Sequence, residues 1–228
     1  MKQGKRFYGK GIPHVDPERL SGKLFVIEGA DGSGRSTQIG LLSDWLERRG
    51  FASVQVGLKR SELVAPELEA AKQGNTLSPL TMSLFYATDF ADQLEHIILP
   101  SLRADFVVLA DRYIYTLIAR SMVRGLSKEW VRELYSMAVV PDAVFHLQVP
   151  PHVLAERTFR KNNALDYWES GMDIARSGNM YENFVRYQRR MQRAFSELKS
   201  DFGYTAINGN RSPETVHAEL IARIQDIL

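Results

Sequence analysis

The sequence holds no cysteine among its 228 residues, which excludes disulfides and thiolate metal sites. It holds no apolar run near the ~20 residues of a membrane-spanning helix. Its first residues are polar and basic, without the apolar core of a secretory leader. No charge of one sign dominates: 29 Lys and Arg stand against 27 Asp and Glu, a formal net charge of +2. That balance makes no case for a nucleic-acid partner or an anionic membrane. Repeats and low-complexity segments are absent as well. Together these absences lead us to expect a cytoplasmic enzyme or binding protein. What is present is ordinary for a globular chain, 44% hydrophobic and 25% charged, and the length suits one domain with a small lid.

One further absence is more pointed. The stretch Gly29-Ala30-Asp31-Gly32-Ser33-Gly34-Arg35-Ser36-Thr37 has the spacing G-x-x-x-x-G-K-[ST], but Arg35 replaces the lysine. An apolar run, Leu24 to Ile27, precedes it and an amphipathic run follows, the strand–loop–helix setting that a phosphate-binding loop requires. In such a loop the glycines free the backbone, and successive amides form an anion nest at the positive end of a helix. Residues 29–37 are therefore candidate ATP ligands, with Arg35 expected at the β- and γ-phosphates and Ser36 expected to ligate Mg2+. Arginine keeps the charge of lysine but is planar and larger.

The rest of the chain alternates strands and helices. Residues 1–22 read as a polar, basic arm, either solvated or packed on a partner subunit through Phe7 and Tyr8. Residues 23–228 then read as one domain. Strands are expected at 23–28, 53–57, 106–110, 144–149 and 204–207. Helices are expected at 35–49, 62–73, 79–99, 113–124, 127–138, 153–161 and 179–200, with a last one after Ser212-Pro213. This is an α/β class fold, three layers with a parallel sheet of about five strands, of the P-loop NTP hydrolase type. Lys59 and Arg60 follow the second strand and are phosphate-clamp candidates. The run Phe106 to Ala110 lacks alternation and ends in Asp111-Arg112-Tyr113. Asp111 there is a candidate magnesium ligand and Arg112 a fork for a second phosphate. His146, inside a strand, reads as structural. A polar stretch reaching Gly178 suits a lid, placed at about 157–178.

At these residues the chain resembles the thymidylate kinase family, within the nucleoside monophosphate kinases. The likeness rests on Phe25 to Gly34, on Leu84-Phe85-Tyr86-Ala87-Thr88-Asp89, and on Asp111-Arg112-Tyr113, with support from Arg124-Gly125-Leu126 and Pro141-Asp142-Ala143. It implies ATP- and Mg2+-dependent phosphoryl transfer to a nucleoside monophosphate, dTMP first. It implies Asp31 near the acceptor's sugar, Arg112 and Arg60 on its phosphate, and Tyr86 stacked on its base. It implies a lid arginine at the transferring group, with Arg157, Arg160 and Lys161 as candidates, and a homodimer built through helices that include 79–99. Phe90 and Arg120-Ser121 stand where the family commonly has polar base contacts, so Phe90 and Arg120 are candidate substrate-binding residues that depart from the pattern. Tyr167 replaces an arginine usual in the lid. The altered base pocket leaves open a kinase for another nucleotide or small phosphorylated acceptor. Arg35 leaves open a nucleotide-binding module that does not transfer phosphate.

Overall fold

The computed structural model describes residues 4–73, 77–175 and 178–228. Five strands form one parallel sheet: β1 (Lys23–Gly29), β2 (Ser53–Gly57), β3 (Val107–Asp111), β4 (Ala143–Gln148) and β5 (Thr205–Asn208), in the order β2-β3-β1-β4-β5. The register pairs Ile27 of β1 with both Asp111 of β3 and Phe145 of β4. All carboxyl ends thus face one edge of the sheet, and β1 sits at its centre.

Leu24, Phe25, Val26 and Ile27 are each 0% exposed. Successive side chains of a strand leave on opposite faces, and here helices cover both faces, so no alternation of polar residues is needed. Leu24 and Val26 join the helices α3 (Pro79–Gln93), α5 (Ile114–Val123) and α8 (Met180–Phe202). Phe25 and Ile27 join α1 (Arg35–Arg48) and α9 (Pro213–Ile224). The remaining helices are α2 (Ala65–Gln73), α4 (Leu99–Arg103), α6 (Lys128–Leu134) and α7 (Pro151–Asn162).

Three departures from expectation have physical causes. The single helix expected over 79–99 ends at Gln93 and continues as a wide π-helical turn, Leu94–Ile98. The Leu99 amide donates to Leu94 O, one residue farther back than an α-turn allows. α4 starts at Leu99, and Pro100, with no amide to give, sits in its first turn. The helix expected over 127–138 stops at Leu134, because the chain then turns to meet the N-terminal arm. Several residues of that arm are exposed, but Phe7 and Tyr8 pack on the same chain. Phe7 forms an antiparallel bridge with Val139, and the Tyr8 amide donates to Ala138 O at 3.0 Å. The Tyr8 hydroxyl lies 2.5 Å from that of Tyr115, and Lys5 pairs with Asp142, which also accepts from the Leu24 amide at 2.7 Å. Residues 4–22 are thus strapped to the same chain.

Candidate active site

The loop from β1 to α1 lies over the centre of the sheet. Gly34 caps α1 with φ +94°, backbone that a side chain resists. Gly32, at φ +80°, lies against α7: a Cβ there would stand 3.0 Å from Thr158 Oγ1 and 3.1 Å from Leu154 O. Ala30 to Gly32 and Gly34 to Thr37 line a cavity of about 420 Å³, closed on its other side by Arg157, Thr158, Lys161 and Asn162 of α7. The loop amides, the start of α1 and the cations of α7 make this a receptor for an anionic chain. A neighbouring cavity of about 260 Å³ shares Gly34, Thr37 and Arg157 with it and is lined further by Gly209, Arg211 and Pro213.

Arg35, among the residues lining the larger cavity, is buried at 8% side-chain exposure and gives its nitrogens to protein oxygens. Its Nε donates to Asp111 Oδ1 at 2.7 Å and its Nη1 to Ala30 O at 2.6 Å and to Gly29 O. Its Nη2 donates to Asp31 Oδ1 at 3.3 Å. Ser36 Oγ donates to the other oxygen of Asp111 at 3.1 Å. Burial alone would push the Asp31 and Asp111 carboxyls up. The guanidinium groups of Arg112 and Arg35 reverse that and hold both below the usual carboxylate range, Asp31 far below it.

Arg112 follows β3 directly. Its amide donates to Ile27 O at 3.0 Å, and its φ is +72°, a strained conformation for a non-glycine residue that costs about 1–3 kcal/mol. The strain aims the guanidinium back at the loop, where Nη2 donates to Asp31 Oδ1 at 2.8 Å. On its far side, Nη1 lies 3.8 Å from Glu169 Oε1. Glu169 also pairs with Arg120, whose Nη1 donates to the Tyr86 hydroxyl at 3.4 Å. Asp31, Arg112, Glu169, Arg120 and Tyr86 therefore form a connected file leading away from the loop. Burial would raise the Tyr86 phenol, but Arg120, Lys72, Lys59 and Arg112 hold it below its ordinary value.

The other sequence candidates fall in different places. Arg60 is exposed on the loop after β2, and its Nε leans to within 3.2 Å of where a Cβ on Gly57 would stand. Asp89, fully buried, fixes that loop by accepting from the Lys59 and Ser61 amides, both at 2.9 Å. Arg157 lies over the loop, donating to Gly32 O at 3.4 Å, Gly209 O at 3.2 Å and Asn210 Oδ1 at 3.1 Å. Arg160 points away: it is 78% exposed and pairs with Glu156 on its own helix, 2.6 Å apart. Phe90 is not at the base pocket but in the core, edge-on to Tyr113 and Tyr135 at 5.1 and 5.7 Å between centroids. Ser121 is buried against Ser83 at 2.7 Å.

Two carboxylates were missed. Glu28, fully buried at the end of β1, accepts from the Tyr113 amide at 2.9 Å, the Thr116 amide at 3.2 Å and the Thr116 hydroxyl. It caps α5, whose own N-cap Tyr113 has no side-chain acceptor. Burial raises its carboxyl, and these donors only partly oppose that. The signal was a lone acid closing an apolar strand. Glu169 lies in the polar stretch after α7 and had no local signal.

A phosphate-binding loop at the centre of a parallel sheet, with a basic cleft beside it and a cationic helix above it, defines a P-loop nucleotide kinase. The comparisons give the family. A family model described as thymidylate kinase matches residues 27–220. The chain is 37% identical to "Probable thymidylate kinase 2" of Saccharolobus solfataricus, over 88% of this chain and 94% of that protein. It is 32% identical to "Probable thymidylate kinase" of Thermococcus kodakarensis, over 90% and 98%. This chain belongs to the thymidylate kinase family. Among the described residues no helix is long and apolar enough to cross a membrane.

Proposed function

We propose that this chain transfers the γ-phosphoryl group of ATP to dTMP, giving dTDP and ADP. The observation that carries the reading is the meeting, at Asp31, of the phosphate-sized cavity over the loop with the file Arg112, Glu169, Arg120 and Tyr86. One side suits the donor and the other a monophosphate with a sugar and a base. The names of the relatives agree with it.

In this reading the loop amides, Arg157 and Lys161 hold the ATP phosphates, and the adenosine end enters the cavity lined by Gly209 and Arg211. Arg112 grips the acceptor phosphate, aided by Arg60. An oxygen of that phosphate attacks the γ-phosphorus in line, and the β–γ bridging oxygen leaves with ADP. Positive charge around the equatorial oxygens lowers the barrier without any covalent intermediate. Ser36 and Asp111 fit a magnesium ion: a hydroxyl and a carboxylate sit 3.1 Å apart at the end of the loop. The described residues contain no cluster of three or more acids, histidines or cysteines able to hold a metal alone, so phosphate oxygens and water would complete its shell. Bound there, it would offset phosphate charge. The lid expected at 157–178 lies within the described residues except at 176–177; its start serves as the lid's cationic end, with Arg157 and Lys161 rather than Arg160 toward the phosphates. We place the enzyme in the cytoplasm as a homodimer, supported by Leu80 and Leu84, 47% and 45% exposed on one face of α3.

A coupled ADP-release assay with ATP, Mg2+ and dTMP, beside dUMP, dCMP, dGMP and AMP, tests the reading. The highest kcat/KM is expected with dTMP, and Asp111→Asn is expected to lower it at least 100-fold. A second reading, a different acceptor, is favoured by Phe90 and Ser121, which stand where polar base contacts are common yet are buried against Tyr113, Tyr135 and Ser83. A winner other than dTMP in the panel would select it. ADP release with none of the five would sink the dTMP assignment.

A further inference from the structure

Arg35 stands where the phosphate-binding motif has lysine, and its side chain makes contacts that a lysine cannot. Each of its three nitrogens donates to a protein oxygen, and the four acceptors come from three places. Two are carbonyls at the start of the loop, Gly29 and Ala30. One is Asp31, also held by Arg112 on the acceptor side. One is Asp111, whose second oxygen is held by Ser36 on the donor side. A single planar group thus spans both halves of the cleft. An ammonium is one point with three hydrogens, whereas a guanidinium offers five in a fixed fork. Lysine at this position would reach one carboxylate or the loop carbonyls, leaving the other carboxylate with fewer donors, Arg112 for Asp31 or Ser36 for Asp111.

We propose that Arg35 is a positioning residue that holds Asp31, Asp111 and the start of the loop in register, leaving the ATP phosphates to the loop amides, Arg157 and Lys161. The inference rests on the kinase reading above and assigns a division of labour within it. Wild-type turnover with ATP and dTMP tests that reading by itself. The behaviour of Arg35 variants relative to wild type tests this one.

Two variants serve, Arg35→Lys and Arg35→Gln, each checked by thermal melting so that a misfolded protein is not scored. Binding of magnesium-free ATP, read by calorimetry without acceptor, isolates the phosphate contacts. It is expected to weaken by no more than about 3-fold in either variant. The KM for dTMP is expected to rise at least 10-fold in both, because Asp31, the partner of Arg112 on the acceptor side, loses its second cationic anchor. Should Arg35→Lys melt below the assay temperature, Arg35→Gln decides alone. Overturning results are an ATP affinity that falls as much as the dTMP KM rises, or an Arg35→Lys enzyme equal to wild type.

Discussion

His146 lies inside β4 with its ring stacked 4.2 Å from Phe195, and its Nδ1 has no hydrogen-bond partner among the described residues. Burial pushes its pKa down to about 4, with Arg35 and Lys199 adding to the effect. In the unfolded chain the ring takes a proton near pH 6.5. Between 6.5 and 4 the unfolded state therefore binds a proton that the folded state refuses. Stability is complete above that window and falls as the pH drops through it, by on the order of 3 kcal/mol. Glu28 works in the opposite direction, because its raised pKa lets the folded state keep a proton longer. The comparison of wild type with His146→Phe cancels Glu28. The variant is expected to lose less stability between pH 6.5 and 4 in denaturant titrations, and parallel curves would refute the assignment. Residue identities in the loop and in Asp111-Arg112 were legible because spacing fixes them. The direction of Arg35 was not, since a long side chain on a fixed Cα reaches either the cavity or the strand ends, and only the positions of Asp31 and Asp111 decide.

Elements were legible where one physical rule dominated. β1 and β3 announce themselves as unbroken apolar runs because both sheet faces are covered, and Ser78-Pro79 marks the start of α3 with its Ser78 cap intact. The break at Leu94–Ile98 was hidden: apolar residues continue across it, and the proline that provokes it comes two residues after it ends. Phe90 shows the same limit. On a helix with apolar residues on several sides, the sequence does not say which face meets the core and which the cleft. Its ring is wedged between Tyr113 and Tyr135, so Phe90→Ala is expected to cost about 3–5 kcal/mol of stability through the cavity it leaves. The same variant, assayed where it remains folded, should keep its KM for dTMP within about 2-fold. A large change in that KM would return Phe90 to the binding site.

At the scale of the molecule, the arm and the exposed face of α3 bear on how one chain meets another. The arm could not be read locally, because Phe7 finds Val139 across most of the sequence and nothing near Phe7 specifies that bridge. Tyr8 is turned inward to Tyr115 and Phe202 and so is not free to seat on a partner in this arrangement. Leu80 and Leu84, four residues apart on α3, form an exposed apolar stripe on one helix face. Light scattering is expected to give the mass of two chains, and Leu84→Glu that of one. A wild-type mass of one chain would dismiss the dimer. Trp168 offers something different. It precedes Glu169, and its indole Nε1 donates to Lys72 O, at the end of α2, at 3.2 Å, while the guanidinium of Arg124 stands 5.8 Å from its ring. One hydrogen bond thereby joins the segment after α7 to α2. Trp45 and Trp130 sit on α1 and α6, away from that junction. The protein thus carries its own fluorophore at the seam of the cleft, and its emission should shift in colour when the two walls part, with no dye attached.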